Sequence, residues 1–134
     1  MKKITKLVII GPDGKLLMMY RSSHPYFGTD PDLPGGTLEL GETDFESMQR
    51  EVMEETGVSI EPAIATELYS GAEYSTHNSL YVLFEAKLET QPEIVMSWEH
   101  SSYEWLDRQE FIQKARSAKD TYMHMVADVL ESKT

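Results

Sequence analysis

The sequence predicts an α/β sandwich on a mixed sheet, because helical runs fall between and after strand-like ones. Three observations carry that expectation. Two β-rich runs near the start are joined by a turn signal, a capped helix with one apolar stripe follows, and a long alternating strand is succeeded by two helical runs.

Taken in order, Ile4 to Ile10 and Gly14 to Arg21 are β-rich and joined by Pro12-Asp13-Gly14, a hairpin turn signal. Residues 22 to 37 hold Pro25, Pro31, Pro34 and the pair Gly35-Gly36 in a polar setting, which predicts a long irregular loop. Thr43 and Glu46 then form a T-x-x-E capping box, and Gly57 stands where a helix-ending residue belongs. Between them Phe45, Met48 and Val52 recur at helical spacing as the buried stripe. Leu80, Val82, Phe84, Ala86 and Leu88 alternate along a strand whose other face carries Tyr81 and Leu83, which predicts a central position. Weaker strand signals lie near 59–72 and 103–106. Helical runs near 107–116 and 120–131 close the pattern, the last with Tyr122, Met125, Val126 and Val129 as its core face.

The 134 residues are expected to form one domain spanning 1–134. A chain of this length buries roughly two-thirds of the surface it exposes when unfolded, so it needs no staple. The lack of cysteine excludes disulfides, zinc-thiolate sites and thiol nucleophiles. The longest apolar runs, Leu7 to Ile10 and Leu16 to Tyr20, fall far short of the ~20 residues that span a bilayer. The stretch after Lys2, Lys3 and Lys6 is also too short for a signal segment, so no membrane partner and a cytoplasmic location are expected. A net charge of −11 argues against a nucleic-acid polymer as partner. It also disfavours small anionic substrates, unless a cation stands between protein and phosphate.

Glu51, Glu54 and Glu55 stand at i, i+3 and i+4, so one helical turn gathers three carboxylates. Each like-charge neighbour costs on the order of 0.2–0.5 kcal/mol. The C-terminal half of a helix is also the unfavourable end for negative charge. Two readings follow. The face is a solvated acidic surface with Arg50 pairing Glu54 at i+4, or it holds a hard divalent cation such as Mg²⁺, which prefers oxygen ligands. Pro34-Gly35-Gly36 lies just upstream, ahead of Glu39, Gly41 and Glu42, and glycines let a backbone approach a ligand closely.

From Gly36 the chain reads five residues, Glu42, seven residues, then Arg50-Glu51-Val52-Met53-Glu54-Glu55-Thr56-Gly57-Val58. This resembles the Nudix box, G-x5-E-x7-R-E-U-x-E-E-x-G-U with U aliphatic, at every specified position. Agreement by chance is on the order of one in a million. The chain is thereby identified as similar to Nudix hydrolases, in particular the small MutT-like nucleotide pyrophosphohydrolases. The resemblance implies an α/β/α sandwich with a mixed sheet and a loop–helix–loop box. It further implies that Glu54 and Glu55 hold Mg²⁺, for which Mn²⁺ substitutes, with a carbonyl of Gly35 or Gly36 and with Glu51, which is otherwise placed to bind the attacking water. Arg50 and Glu42 are implied as supports of the catalytic carboxylates. Glu99, ahead of Glu104-Trp105, is the implied ligand outside the box, and the general base stays open between Glu51, Glu99 and others.

The implied reaction is hydrolysis of a diphosphate linkage in a nucleoside diphosphate derivative. The expected substrates are nucleoside or deoxynucleoside triphosphates. The alternatives are a dinucleoside polyphosphate, a nucleotide sugar, or a catalytically silent nucleotide-binding module. Arg21, His24, Tyr26 and Phe27 lie on or beside the loop before the box, where a base could stack and a phosphate could pair, or where the loop simply packs on the sheet. Tyr74 resembles a marker of dinucleoside polyphosphate hydrolases, whereas Glu73 stands where ADP-ribose hydrolases tend to carry proline. His77, His100 and His124 have no metal-ligand spacing and are expected at the surface or in packing. Monomer and homodimer are both compatible with the sequence.

Overall fold

The computed structural model describes residues 1–133; Thr134, at the end of the expected domain, lies outside them. In chain order the elements are β1 (Lys2–Ile10), β2 (Leu16–Arg21), β3 (Pro31–Asp32), β4 (Gly35–Thr37), α1 (Asp44–Thr56), β5 (Ala65–Gly71), β6 (Ser79–Lys87), β7 (His100–Leu106), α2 (Arg108–Ser117) and α3 (Tyr122–Ser132). A short 3₁₀ turn, Pro62–Ile64, precedes β5.

The sheet is mixed, as expected. Its main order is β3-β2-β1-β6-β5, with β4 also paired to β1 and β7 to β2. β6 runs parallel to β1 from Ser79 opposite Lys2 to Lys87 opposite Ile10, and β5 pairs antiparallel on its other side. The apolar run on both faces of β6 therefore reflects a central strand.

The turn at Pro12–Gly14 behaves differently from a simple hairpin. β1 and β2 pair only where Ile10 meets Leu16. Beyond that point they diverge, β1 taking β4 as its antiparallel neighbour and β2 taking β7 and β3. The expectation of an irregular segment over 22–37 is corrected in its second half. Pro31–Asp32 and Gly35–Thr37 are short strands, and Leu7 N–H donates to Pro34 O at 3.0 Å between them. These pairings are tertiary, so a local reading of proline and glycine misses them.

Alternation along β1 divides the core between the two sheet faces. Val8 joins Leu16, Met18, Leu83, Phe111 and Tyr122 beneath α2 and α3. Leu7 and Ile9 join Leu17, Met19, Met48 and Val52 beneath α1. Met48 and Val52 are fully buried, and each such side chain stabilises the packing of α1 by about 1.5–3 kcal/mol. Among the described residues no helix is long and apolar enough to cross a membrane.

Candidate active site

α1 carries the carboxylates, and its ends are set locally. Thr43 Oγ1 accepts from Glu46 N–H at 3.1 Å, and the Glu46 carboxylate accepts from Thr43 N–H at 2.9 Å. At the other end Gly57 N–H donates to Met53 O at 2.9 Å. With Met48 and Val52 turned to the sheet, Arg50, Glu51 and Glu54 emerge toward the loop before the helix, and Glu55 points into the protein.

Arg50 organises this surface. Its Nε and Nη2 donate to the two oxygens of Glu42 at 2.6 and 3.1 Å, a bidentate pair. Nη1 donates to Glu51 at 2.7 Å and reaches Glu54 at 3.5 Å. The i+4 pair expected of a solvated acidic face therefore exists, but it is the weakest of these contacts. Glu51 is held at one carboxylate oxygen, while Glu54 is mostly exposed.

The paired glycines allow the backbone to approach on both sides. Gly35 has φ +145°, and a Cβ there would strike the backbone of Thr5. A Cβ on Gly36 would collide with the Glu51 carboxylate. Beside them Glu55 is 1% exposed; its Oε1 accepts from Gly35 N–H at 3.4 Å, and its Oε2 has no partner. Burial pushes the Glu55 carboxyl up to about 9 against the opposing charge of Lys6, with Glu51, Glu99 and Asp32 adding to the rise.

This donor set fits a hard divalent cation. It offers carboxylate oxygens at one turn, one of them buried and unpartnered, in surroundings that penalise negative charge. Among the described residues no three acidic or histidine side chains already converge on one point. Glu54 extends toward Arg50 and solvent and does not converge with Glu51 and Glu55. Glu99 lies on the turn before β7, exposed, and its charge acts on Glu55.

A cleft of about 380 Å³ opens next to this turn, lined by Arg21, Ser23, His24, Trp98, Glu99 and His100. Trp98, 85% exposed at its rim, was not singled out from the sequence; an aromatic residue next to Glu99 in a loop was the available signal. Arg21 lines the cleft, but its guanidinium is engaged, with Nη2 donating to Asp120 at 3.0 Å and to Asp32 at 3.5 Å. Phe27 packs within the loop, under Arg21 at 5.1 Å and beside His24 at 4.9 Å. Tyr26 is exposed at the loop surface. Tyr74 is not brought to α1: its hydroxyl donates to Asp128 of α3 at 2.5 Å. Glu73 accepts from Tyr69.

Sequence reasoning also missed a buried polar cluster behind Glu55. Asp32 lies at its centre, with Lys6 Nζ at 3.1 Å, His100 Nε2 at 2.9 Å and the Tyr122 hydroxyl in hydrogen-bond contact. Of the three histidines expected at the surface or in packing, His77 is exposed and His124 meets Ala118 O at 2.8 Å, but His100 sits inside this cluster.

Comparison with known proteins agrees with this architecture. A family model of the NUDIX domain matches residues 3–126. The chain is 33% identical over 103 residues to a MutT-like protein of Streptomyces ambofaciens, a stretch covering 77% of this chain and 62% of that one. It thus spans less than two-thirds of that relative's length. The MutT protein from Methanosarcina mazei Go1 has the same fold, with a TM-score of 0.76 at 22% identity over 98% of this chain and 91% of that one. So does a bifunctional NMN adenylyltransferase/ADP ribose pyrophosphatase from Francisella tularensis, solved with AMP and a Mn ion. There the TM-score is 0.73 at 21% identity, over 99% of this chain and 42% of that one. The chain belongs to the Nudix family.

Proposed function

We propose that residues 1–134 act as one domain that hydrolyses the diphosphate linkage of a nucleoside or deoxynucleoside triphosphate, with Mg²⁺ as the working cation and Mn²⁺ able to replace it. The observation that carries this reading is Glu55: a buried carboxylate on the Nudix helix, next to Glu51, with one oxygen lacking any partner. A buried unpaired carboxylate oxygen is costly, and a divalent cation removes the cost.

Glu51, Glu54 and Glu55 hold the cation, with Glu99 and a carbonyl of Gly35 or Gly36 completing the set. When bound, the cation neutralises charge on the phosphate oxygens and acidifies water. Arg50 and Glu42 keep Glu51 oriented through the bidentate pair and the 2.7 Å bond. Glu51 or Glu99 takes the proton of the attacking water; the new oxygen–phosphorus bond forms as the bridging P–O bond breaks, and its electrons leave with the phosphate-bearing group. The nucleoside lies in the cleft between Trp98 and His24, where a planar base can stack. The volume of about 380 Å³ suits a group of that size.

The test is release of nucleoside monophosphate, phosphate or pyrophosphate from a nucleotide panel, with and without Mg²⁺. Turnover is expected only with the cation, and Glu54→Gln and Glu55→Gln are each expected to lose at least ~100-fold in kcat while remaining folded. Full activity in either variant, or in excess chelator, contradicts the ligand assignment. Thermal stabilisation by nucleotide without turnover would support a silent binding module instead.

A further inference from the structure

One wall of the cleft is supplied by the loop 22–28, whose main chain holds itself in shape. His24 and Gly28 exchange N–H···O bonds at 2.8 and 2.9 Å, and Ser22 N–H donates to Glu99 O at 3.0 Å. Ser23 between them takes a left-handed φ of +43°, uncommon without glycine. The half-buried His24 ring is fixed from inside the same loop. Its Nδ1 accepts from Tyr26 N–H at 3.1 Å and from Phe27 N–H at 3.2 Å, and the Phe27 ring packs beside it at 4.9 Å. A nitrogen that accepts from two amides carries no proton, so the neutral ring holds its proton on Nε2 and only donates there. Nε2 lies across the ring from those amides, has no hydrogen-bond partner among the described residues, and stays accessible where His24 lines the cleft.

We infer that His24 is a specificity-determining residue, its Nε2–H reading a carbonyl oxygen on the edge of a nucleobase stacked on Trp98. This rests on the reading of the cleft as the nucleoside site. A phosphate is the poorer occupant of this wall. Arg21 is the one arginine or lysine among the described residues that line the cleft, and Asp120 and Asp32 already hold it. An uncharged carbonyl oxygen instead meets a neutral donor. An amino group in its place sets N–H against N–H, and the ring cannot invert without giving up both amide bonds. The Ser22 and Ser23 hydroxyls beside it rotate to suit either partner, so discrimination falls to the fixed ring. A hydrogen bond between neutral groups corresponds to about 2–10-fold in affinity.

The experiment measures kcat and KM with Mg²⁺ for two matched pairs of triphosphates, UTP with CTP and ITP with ATP. Within each pair the size is nearly constant and a ring carbonyl is exchanged for an amino group. Wild type, His24→Asn and His24→Gln are compared, with melting temperature taken on the same samples. Asn keeps an acceptor oxygen for the Tyr26 and Phe27 amides but ends short of Nε2. Gln places a donor near Nε2 and gives up the amide bonds. The wild type is expected to favour UTP and ITP by about 2–10-fold in kcat/KM, through KM rather than kcat. His24→Asn is expected to melt with the wild type and to lose the preference, and His24→Gln to melt lower and keep it. If His24→Gln does not fold, His24→Asn alone decides. Turnover of all four without preference in the wild type, or an unchanged preference in folded His24→Asn, overturns the role of His24 and leaves the cleft reading intact. Loss of the preference in folded His24→Gln as well assigns it to the shape of the loop and overturns the donor. If no nucleoside triphosphate is turned over, the proposed function fails and this inference falls with it.

Discussion

Asp32 and Glu55 are both buried acids, yet their surroundings drive them in opposite directions. Burial raises the Asp32 carboxyl, but the charge of Lys6, the bond from His100 and the charge of Arg21 more than offset it, and the group ends well below the usual carboxylate range. For Glu55, burial outweighs the opposing charge of Lys6, and the group ends at about 9. A depressed acid adds stability that is fully present above its unfolded value of 3.8 and is lost as pH falls below it. Urea unfolding between roughly pH 2.5 and 6 is therefore expected to show a steep loss of stability on the acid side, and Asp32→Asn to flatten it. An equally steep loss in the variant would assign the acid sensitivity elsewhere. Glu51, Glu54 and Glu55 were legible in the sequence because one helical turn brings consecutive residues together. Asp32, Lys6 and His100 were not, because each is a single polar residue on a different strand and only the sheet register unites them.

At the scale of elements, the site depends on α1 starting and stopping where it does. Its first turn is fastened by the reciprocal Thr43–Glu46 bonds, both on exposed residues. Thr43→Ala is expected to lower unfolding free energy by about 1 kcal/mol, read as a lower denaturant midpoint with an unchanged m-value. A loss beyond about 3 kcal/mol would mean that the cap supports more than the helix end. The capping box, the apolar stripe of α1, the alternation of β6 and the two closing helices were all readable, since each is a local pattern longer than one turn or several strand residues. β3 and β4 were hidden because they span two and three residues and owe their conformation to β2 and β1. The splayed β1–β2 pair was hidden for a related reason: a turn signal specifies where two strands meet, and the remaining register was taken by β4 and β7.

For the molecule as a whole, a net charge of −11 sits oddly with the proposed polyphosphate substrate until a cation is placed at the interface. The fold concentrates that requirement in one place, where α1, the Gly35-Gly36 approach, the turn carrying Glu99 and the cleft beside Trp98 adjoin. The measurement that bears most directly on this is anomalous diffraction from crystals soaked with Mn²⁺ and a non-hydrolysable triphosphate. The expected result is a Mn²⁺ peak within about 2.0–2.4 Å of oxygens from at least two of Glu51, Glu54 and Glu55, bridged to the nucleotide phosphates. A well-occupied nucleotide with no Mn²⁺ at that turn, or with Mn²⁺ bound only elsewhere on the acidic surface, would contradict it.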